Sequence, residues 1–576
     1  MASCYHISTM SAYTLKHDPD DLANAHVLAA YSDLTRRLLV ARGITNPEDA
    51  DRFLAPDYER DTHDPFLLID MERAVERISS AVDINEHIAI YSDYDADGIP
   101  GAVVLYDFFQ YIGYDNVEVY IPHRHDEGFG VHIDAVNELA QNGAALIITI
   151  DCGIADGAAV EHAASLGIDM IITDHHEPPD NLPPAYAVVD PKRHDCTYPE
   201  KVLCGAGVIY KVVQALIHKG GFGLTAGKEK WLLDMVGLAT CADMVPLTGE
   251  NRVLASYGLL VLRKSPRPGV RVLCRDLRIA QPYLTEDDIG YMIAPRINAA
   301  SRMGVSMVAF SFLAETDEEG AVAAYRELHE NNERRKGVVA SMVKTIRQRV
   351  AERDTEGAVV VAGSPEWKPS LLGLAANALV KECGKPVFLW GRDGNEMIKG
   401  SCRSDGSVHM VELMEATADV FVSYGGHEMA GGFSVTHNDI HTLEERLSRA
   451  YDKVSRVGAD GAAVYVDALL PLNAVTEATY QEISRFAPFG VGNEKPLFRF
   501  DNVHIERVRM FGKQGNHIEL LVTDGRIKIK AIGFFMKSED YARPPIPGET
   551  VTVIGNIEKS YFAGRPEIRL RLVDII

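Results

Sequence analysis

The sequence predicts an α/β chain: a parallel-sheet domain, a second α/β domain joined to it by a long helix, and a C-terminal all-β barrel of OB type. Three observations carry this. Between about 76 and 265, short apolar runs alternate with helical patterns; runs apolar on both faces in a β–α rhythm are the mark of a parallel sheet covered by helices. Residues 315–352 form one long, polar-rich helical pattern. From about 497 the helical period disappears and five glycine-punctuated strand patterns remain, about the length of an OB barrel.

The elements follow in order. Residues 1–75 read as a helical segment: "DLTRRLLVARGI" is spaced as a helix ending at Gly43, and "NPEDADRFL" as a second with Asn46 as N-cap and Pro47 at N1. This segment is expected to pack on the next domain. In 76–265 the strands are "HIAIYSD", "VEVYIP", "ALIITID", "DMIITDHH" and "YAVVDP", with helices such as "GAVVLYDFFQYIG" and "GAAVEHAASLG" between them. The connecting region 266–354 holds the long helix, with a break expected near Gly337. The domain at 355–455 has strands "GAVVVAG" and "PVFLWG" and helices "SLLGLAANALVKECG" and "HTLEERLSRAYDKVS". A linker, 456–496, leads to the barrel at 497–576.

Composition narrows the class. At 576 residues the chain is too long for one core. Apolar runs such as "AALIITI" fall far short of a membrane span, and the N-terminus lacks a signal-peptide pattern. Eight scattered cysteines without a CxxC pair argue against a disulfide framework or a thiolate zinc site, and for a reducing cytoplasm. The net charge of -24 disfavours coating nucleic acid by bulk electrostatics. Yet the last 80 residues hold 13 Lys/Arg against 10 Asp/Glu, which sets the barrel apart in role.

Acidic and histidine residues cluster at predicted strand ends. Asp93, Asp95 and Asp97 alternate in "YSDYDADGIPG", Asp151 ends "ALIITID", and Asp174, His175 and His176 end "DMIITDHH". Asp243 follows the helix in "WLLDMVGLATCADMVPL". In open α/β sheets ligands bind outside the carboxyl ends of the strands. Taken singly, the first cluster can be a turn or a calcium-like loop, and the third a helix-capping aspartate with surface histidines. Taken together they resist a structural explanation, because crowded anions add no stability. Carboxylates with imidazole and no thiolate suit Mn²⁺ or Mg²⁺. A pair of such ions clamps the attacking and leaving oxygens of a phosphoryl displacement, and needs several carboxylates, one of them bridging. Other nucleotide signatures fail: "GLTAGKEK" has Phe222 where a P-loop needs its first glycine and Glu229 in place of Ser/Thr, and "GAGVIY" lacks a third glycine. The glycine-rich helix start "CGAGVIY" is read as close packing.

The motifs "DYDADG", "DCGI", "TDHH" and "GLATCADMVPL" resemble the four metal-site motifs of the DHH phosphoesterase superfamily. More narrowly, "IPHRHDEGFG", "IAPRINAASRM", "KGSCRS", "GGHEMAGGFS" and "PFGVGNEKPLF" resemble, in order over about 50–576, the RecJ-like 5′→3′ single-strand-specific DNA exonucleases. The resemblance implies a DHH domain at 76–265, a substrate-holding DHHA1 domain at 355–455 and a nucleic-acid-binding OB-fold at the C-terminus. It implies two Mn²⁺ or Mg²⁺ ions on Asp95, Asp97, Asp151, His175 and Asp243, with Asp151 between the ions. Asp93 is either a further ligand or an acceptor of backbone N–H bonds that fixes the loop. His176 would contact the scissile phosphate or assist proton transfer, and Asp174 would orient the histidines.

For substrate binding the resemblance points to Gly425, Gly426 and His427 in "GGHEMAGG", and to Ser401 and Arg403 in "GSCRS". It adds Arg124 in "PHRHDEG" and Arg296, Asn298 and Arg302 in "PRINAASR". A surface salt bridge is the competing role for each arginine. On the barrel, Arg507, Arg509, Lys513, Lys528 and Lys530 are backbone-contact candidates, or the exposed face of an edge strand. The chain departs from the family at "WKPSLLGLAA", where Lys368 and Ser370 replace a histidine and a glycine, which leaves the grip on the substrate terminus open.

The expected function is exonucleolytic hydrolysis of single-stranded DNA to mononucleotides in repair and recombination, by a cytoplasmic monomer with no membrane association. Single-stranded DNA is the expected partner, with a single-stranded-DNA-binding protein and a helicase as candidate protein partners. Two alternatives stand beside it: a DHH phosphodiesterase for short oligoribonucleotides or cyclic dinucleotides, and a catalytically inactive DNA-binding scaffold.

Overall fold

The computed structural model describes residues 13–16, 26–225, 227–352, 357–392, 397–454, 464–512, 515–561 and 566–576. Helices α1 (Asp33–Val40) and α2 (Pro47–Leu54) form as their caps predict; the Asn46 side chain accepts from the Asp49 N–H. Their packing differs from expectation. Leu38, Leu39, Ala50 and Leu54 join the core of the C-terminal barrel, not that of the parallel-sheet domain. The reason is shape: the stretch before the barrel presents Ile483 and Phe486 to this apolar stripe.

After α3 (Met71–Asp83) come β1 (Ile88–Ser92), α4 (Gly98–Tyr111), β2 (Val117–Tyr120), α5 (Ile133–Gln141), β3 (Leu146–Ile150), α6 (Gly157–Ser165), β4 (Asp169–Thr173) and β5 (Ala187–Val189). The strands pair parallel in the order β2-β1-β3-β4-β5. Alternation splits each strand between two cores. Ile88 and Ile90 pack with Phe108 and Val213 on one face, Ala89 and Tyr91 with Leu139 and Val160 on the other. The order reverses between β1 and β3, which opens a crevice beyond their carboxyl ends. Helices α7 (Gly205–Lys219), α8 (Leu233–Ala242) and α9 (Gly249–Leu262) complete this domain.

Helix α10 (Ala294–Met303) leads to α11 (Glu318–Ala351), which is continuous over 34 residues. The break expected at Gly337 does not occur. An exposed glycine costs a helix only about 1 kcal/mol, and α11 is pinned on both sides of it: Tyr325 and Leu328 in the first domain's core, Met342 and Ile346 in the second's.

The second sheet holds β6 (Val360–Gly363), β7 (Val387–Arg392), β8 (Ile398–Arg403), β9 (Phe421–His427) and β10 (Ala430–Val435) in the order β9-β10-β8-β7-β6, backed by α12 (Pro369–Cys383) and α13 (Leu443–Tyr451). Only β6 and β7 pair parallel. The "GGHEMAGG" segment is a β9–β10 hairpin, with Gly425 opposite Gly432 and His427 opposite Ala430. Glycine's low strand propensity hides β8, β9 and β10 from a pattern search.

The five expected barrel strands are β11 (Phe498–Phe511), β12 (His517–Thr523), β13 (Lys528–Phe534), β14 (Thr550–Ser560) and β15 (Glu567–Ile575). They run β11-β12-β13-β15-β14, and β11–β14 pairing closes the barrel. Leu472 and Phe486, from the expected linker, are buried in the same core as Phe498 and Val553. Among the described residues no helix is long and apolar enough to cross a membrane.

Candidate active site

The turn after β1 is built by its own residues. The Asp93 N–H donates to the Ile150 carbonyl (3.1 Å), and Asp95 Oδ1 accepts from the N–H groups of Asp97 (2.8 Å) and Gly98 (3.3 Å). A Cβ at Gly98 would lie 2.5 Å from the Asp93 carbonyl oxygen, so only glycine starts α4 there. Asn298 of α10 accepts the Ala96 N–H at 2.9 Å. Its carboxamide oxygen holds this loop in place.

Asp97 lies 1 % exposed at the start of α7, where it accepts the N–H groups of Gly205 (2.6 Å) and Ala206 (2.8 Å). These are the N-terminal amides of a helix, which favour a negative charge. Asp151 follows β3 with φ +62° and leans over Gly205, where a Cβ would sit 2.5 Å from the Asp151 Cβ. The "CGAGVIY" start, read from sequence as close packing, therefore borders the site directly. Glycine at a helix start beneath an aspartate was the available signal.

His175 joins the strand ends. Its Nε2 lies 3.0 Å from Asp151 Oδ1, 3.7 Å from Asp97 Oδ2 and 3.9 Å from Asp243 Oδ2. Asp243 caps the C-terminus of α8. Three overlapping groups of potential ligand atoms result among the described residues: Asp97, His175 and Asp243; Asp93, Asp95 and Asp151; and Asp151, His175 and His176, each within 4.8 Å. Asp174 stands outside all three groups. Its Oδ1 accepts the His175 and His176 N–H groups and bonds His176 Nδ1 at 2.8 Å, and its Oδ2 accepts the Ile154 N–H. The His176 ring remains half exposed, edge-on to Phe129.

The electrostatics show what the pocket lacks. Burial, then repulsion from neighbouring carboxylates, drives Asp93 and Asp151 well above the usual carboxylate range. The same causes push Asp243 up to about 8. Burial lowers His175, while the hydrogen bond to Asp174 raises His176. Asp93 Oδ1, Asp151 Oδ1 and His175 Nδ1 are buried without hydrogen-bond partners. Orphaned carboxylate oxygens beside an imidazole, with no thiolate in any of the groups, fit hard divalent cations such as Mn²⁺ or Mg²⁺.

A groove of about 520 Å³ lies between the two α/β domains, lined by Tyr94 and Arg124 on one side and Ser370, Lys399, Tyr424 and Gly425 on the other. The Arg124 guanidinium sits 4.7 Å above the Tyr94 ring. Arg403 donates to Ser401 Oγ (3.0 Å) and presses on Gly373, where a Cβ would lie 2.7 Å from its Nη2. Arg302 donates to the Ser370 carbonyl, and the Ser370 hydroxyl donates back to the Arg302 carbonyl at 3.3 Å. The Arg302 carbonyl also meets His125 Nε2 at 2.9 Å. Burial and the nearby Arg124 lower Arg302 to about 10. Arg296 is buried and bonds the Met292 carbonyl beside Tyr325 and Arg335. Gly426 is fixed by the hairpin, since a Cβ there would lie 2.3 Å from the Ala430 oxygen.

Among the described residues the expected barrel cations are paired. Arg507 and Arg509 face Glu519 at 3.6 and 3.2 Å, Lys528 faces Glu506 and Lys530 faces Glu567, both at 2.8 Å. Lys513 lies outside the described residues.

Comparison with known proteins gives the same arrangement. The DHH family N-terminal domain matches residues 87–240, the DHHA1 domain 356–457 and the RecJ OB domain 466–574. The single-stranded-DNA-specific exonuclease RecJ of Bacillus subtilis is 31% identical, covering 94% of this chain and 67% of that protein. The protein of the same description from Dickeya dadantii is 30% identical, covering 85% and 86%. RecJ from Thermus thermophilus, solved in complex with Mn²⁺, superposes with a TM-score of 0.78 at 26% identity over 98% of this chain and 78% of that one. With a parallel sheet whose strand ends gather carboxylates and imidazole, a facing second domain and a closed barrel, the chain belongs to the RecJ family of single-stranded-DNA-specific exonucleases.

Proposed function

We propose that this protein is a metal-dependent exonuclease that hydrolyses single-stranded DNA from the 5′ end to mononucleotides, in DNA repair and recombination. The observation that carries the reading is the convergence of Asp93, Asp95, Asp97, Asp151, His175 and Asp243 at the crevice beyond β1 and β3, beside an interdomain groove. Asp97, His175 and Asp243 would hold one divalent ion and Asp93 and Asp95 another, with Asp151 between them. Mn²⁺ or Mg²⁺ in these positions supplies Lewis-acid polarisation of the phosphodiester and lowers the pKa of water.

The chain's own groups do the rest. Asp174 engages His176 Nδ1, which leaves Nε2 to contact the scissile phosphate or carry the leaving proton. Arg124, braced on Tyr94, and Arg403, braced by Ser401, supply cations for the flanking phosphates. The mutual bonds of Arg302 and Ser370 tie the two domains together beside the groove.

The test offers the Mn²⁺-loaded protein a 3′-labelled single strand, its duplex and a cyclic dinucleotide, with chelator controls. Metal-dependent degradation of the single strand alone is expected. Equal degradation of the duplex, or cleavage of the cyclic dinucleotide alone, would overturn the proposal. Absence of any metal-dependent hydrolysis would favour a binding scaffold.

A further inference from the structure

The end of β5 brings a cation, Lys192, to the ligand cluster. Val189 pairs with Thr173 of β4, and the Asp174 N–H donates to the Val189 carbonyl at 3.2 Å. The carboxyl end of β5 therefore lies beside the strand end that carries His175 and His176. The chain that follows is fixed along its length. Asp190 is fully buried, and its Oδ1 accepts the Lys192 N–H at 2.7 Å. The Pro191 carbonyl accepts from Lys201 Nζ at 3.0 Å. Arg193 is bonded to Asp70, to Asp195 and to the Val188 carbonyl.

On this fixed backbone the Lys192 ammonium is held weakly. Among the described residues one carboxylate pairs with it, Glu177 Oε2 at 3.9 Å, and the Glu177 side chain is 81% exposed. A long, exposed contact of that kind does little to restrain a lysine.

The charge reaches the metal ligands. Burial, then Asp97 and Asp95, raise Asp243, and Lys192 opposes that rise. Burial lowers His175, and Lys192 adds to the fall. Arg124 acts in the same way on Asp93, which burial and Asp95 raise. The two cations thus attend different ligand groups: Arg124 the one with Asp93, Asp95 and Asp151, and Lys192 the one with Asp97, His175 and Asp243. Arg124 lines the interdomain groove, and Lys192 does not. A strand that runs from the groove across both groups meets Lys192 as it leaves. Five aspartates outweigh the charge of two divalent ions, so a phosphate passing there gains from a further cation. A lysine offers a point charge on a flexible stem, which suits a phosphate that advances after each cut.

We propose that the Lys192 ammonium contacts the phosphate next to the scissile one, on its 3′ side. This rests on the proposed function and adds a substrate-contacting residue to it. The probe is a 5′-phosphorylated, 3′-labelled pentathymidylate, either natural or with one neutral methylphosphonate at the second linkage. Binding to the full-length protein is read by anisotropy in chelator, and kcat/KM is read with Mn²⁺. The neutral linkage should cost the parent about tenfold in both, as one charge-assisted contact predicts. Lys192→Gln should lose as much on the natural strand and nothing further on the neutral one, with its thermal midpoint unchanged. Lys192→Arg should recover most of the loss, and Glu177→Gln should match the parent. Parental binding and turnover in Lys192→Gln would overturn the proposal. So would a neutral linkage that costs this variant as much as it costs the parent. Because binding is read without metal, a protein that hydrolyses nothing would sink the exonuclease reading and still leave this contact open to disproof.

Discussion

His175 Nε2 lies 3.0 Å from Asp151 Oδ1, and the two residues follow adjacent parallel strands. This contact links the ligand groups: Asp151 stands with Asp93 and Asp95, His175 with Asp97 and Asp243, and both meet His176 in a third group. Asp151 is also the most constrained carboxylate there, at positive φ, buried, with Oδ1 unbonded.

Asp151→Asn should abolish hydrolysis, by more than about 100-fold, since even partners behind a metal ligand cost 10–100-fold. The same change should raise the thermal midpoint in chelator. It removes a buried charge crowded by other carboxylates, and asparagine tolerates the left-handed conformation well. Single-strand binding should survive. Retained turnover would remove Asp151 from the bridging position.

Gly205→Ala is a small change at a helix start that should be costly for activity alone. The new Cβ would stand 2.5 Å from the Asp151 Cβ and 2.8 Å from its Cγ. Loss of activity of about 10–100-fold is expected, the range for disturbing the surroundings of a metal ligand. Circular dichroism should be unchanged. An active variant would show that Asp151 can shift without consequence.

Arg252→Ala should loosen the barrel from the catalytic domain. The guanidinium is 2% exposed, lies 3.9 Å from the Phe53 ring centroid, and donates to the carbonyls of Phe53, Phe486 and Ala487. Charge-assisted bonds lost from buried carbonyls predict a cost of about 3 kcal/mol. Arg252→Lys should recover only part of it, because a lysine cannot fork to several acceptors. Calorimetry reads the shift, and a parental melting profile would contradict it.

Asp70 sets an acid limit on stability. Burial acts to raise its pKa, but the Val188 N–H (3.1 Å) and the Arg193 guanidinium (2.9 Å) outweigh it, and the folded value is lowered. A lowered folded value contributes stability above the unfolded pKa, about 3.9, and loses it as pH falls through the folded value. Asp70→Asn should therefore be less stable than the parent at neutral pH, with the gap closing below about pH 4. A gap that does not change with pH would exclude the ion pair as its source.

Much of the architecture was legible because it is local. Short runs apolar on both faces mark all five strands of the first sheet, helical spacing marks the long helix, and glycine-punctuated strand patterns mark the barrel. Carboxylates stacked at predicted strand ends are the same residues that the fold gathers beyond β1 and β3. What escaped had weak local signals. Strands β8, β9 and β10 carry glycines that lower strand propensity, and α11 ignores Gly337 because packing on either side outweighs one residue's preference.

The sequence by itself determined most of the elements and which residues are candidates for chemistry, since both depend on spacings of a few residues. The tertiary structure decided which of those residues meet. Asp97 finds Gly205 and Ala206 108 and 109 positions away, α1 and α2 find the barrel, and Asn298 is drawn to the Ala96 N–H. Such meetings depend on strand order and on buried polar groups seeking partners. Neither is written in any short stretch of chain.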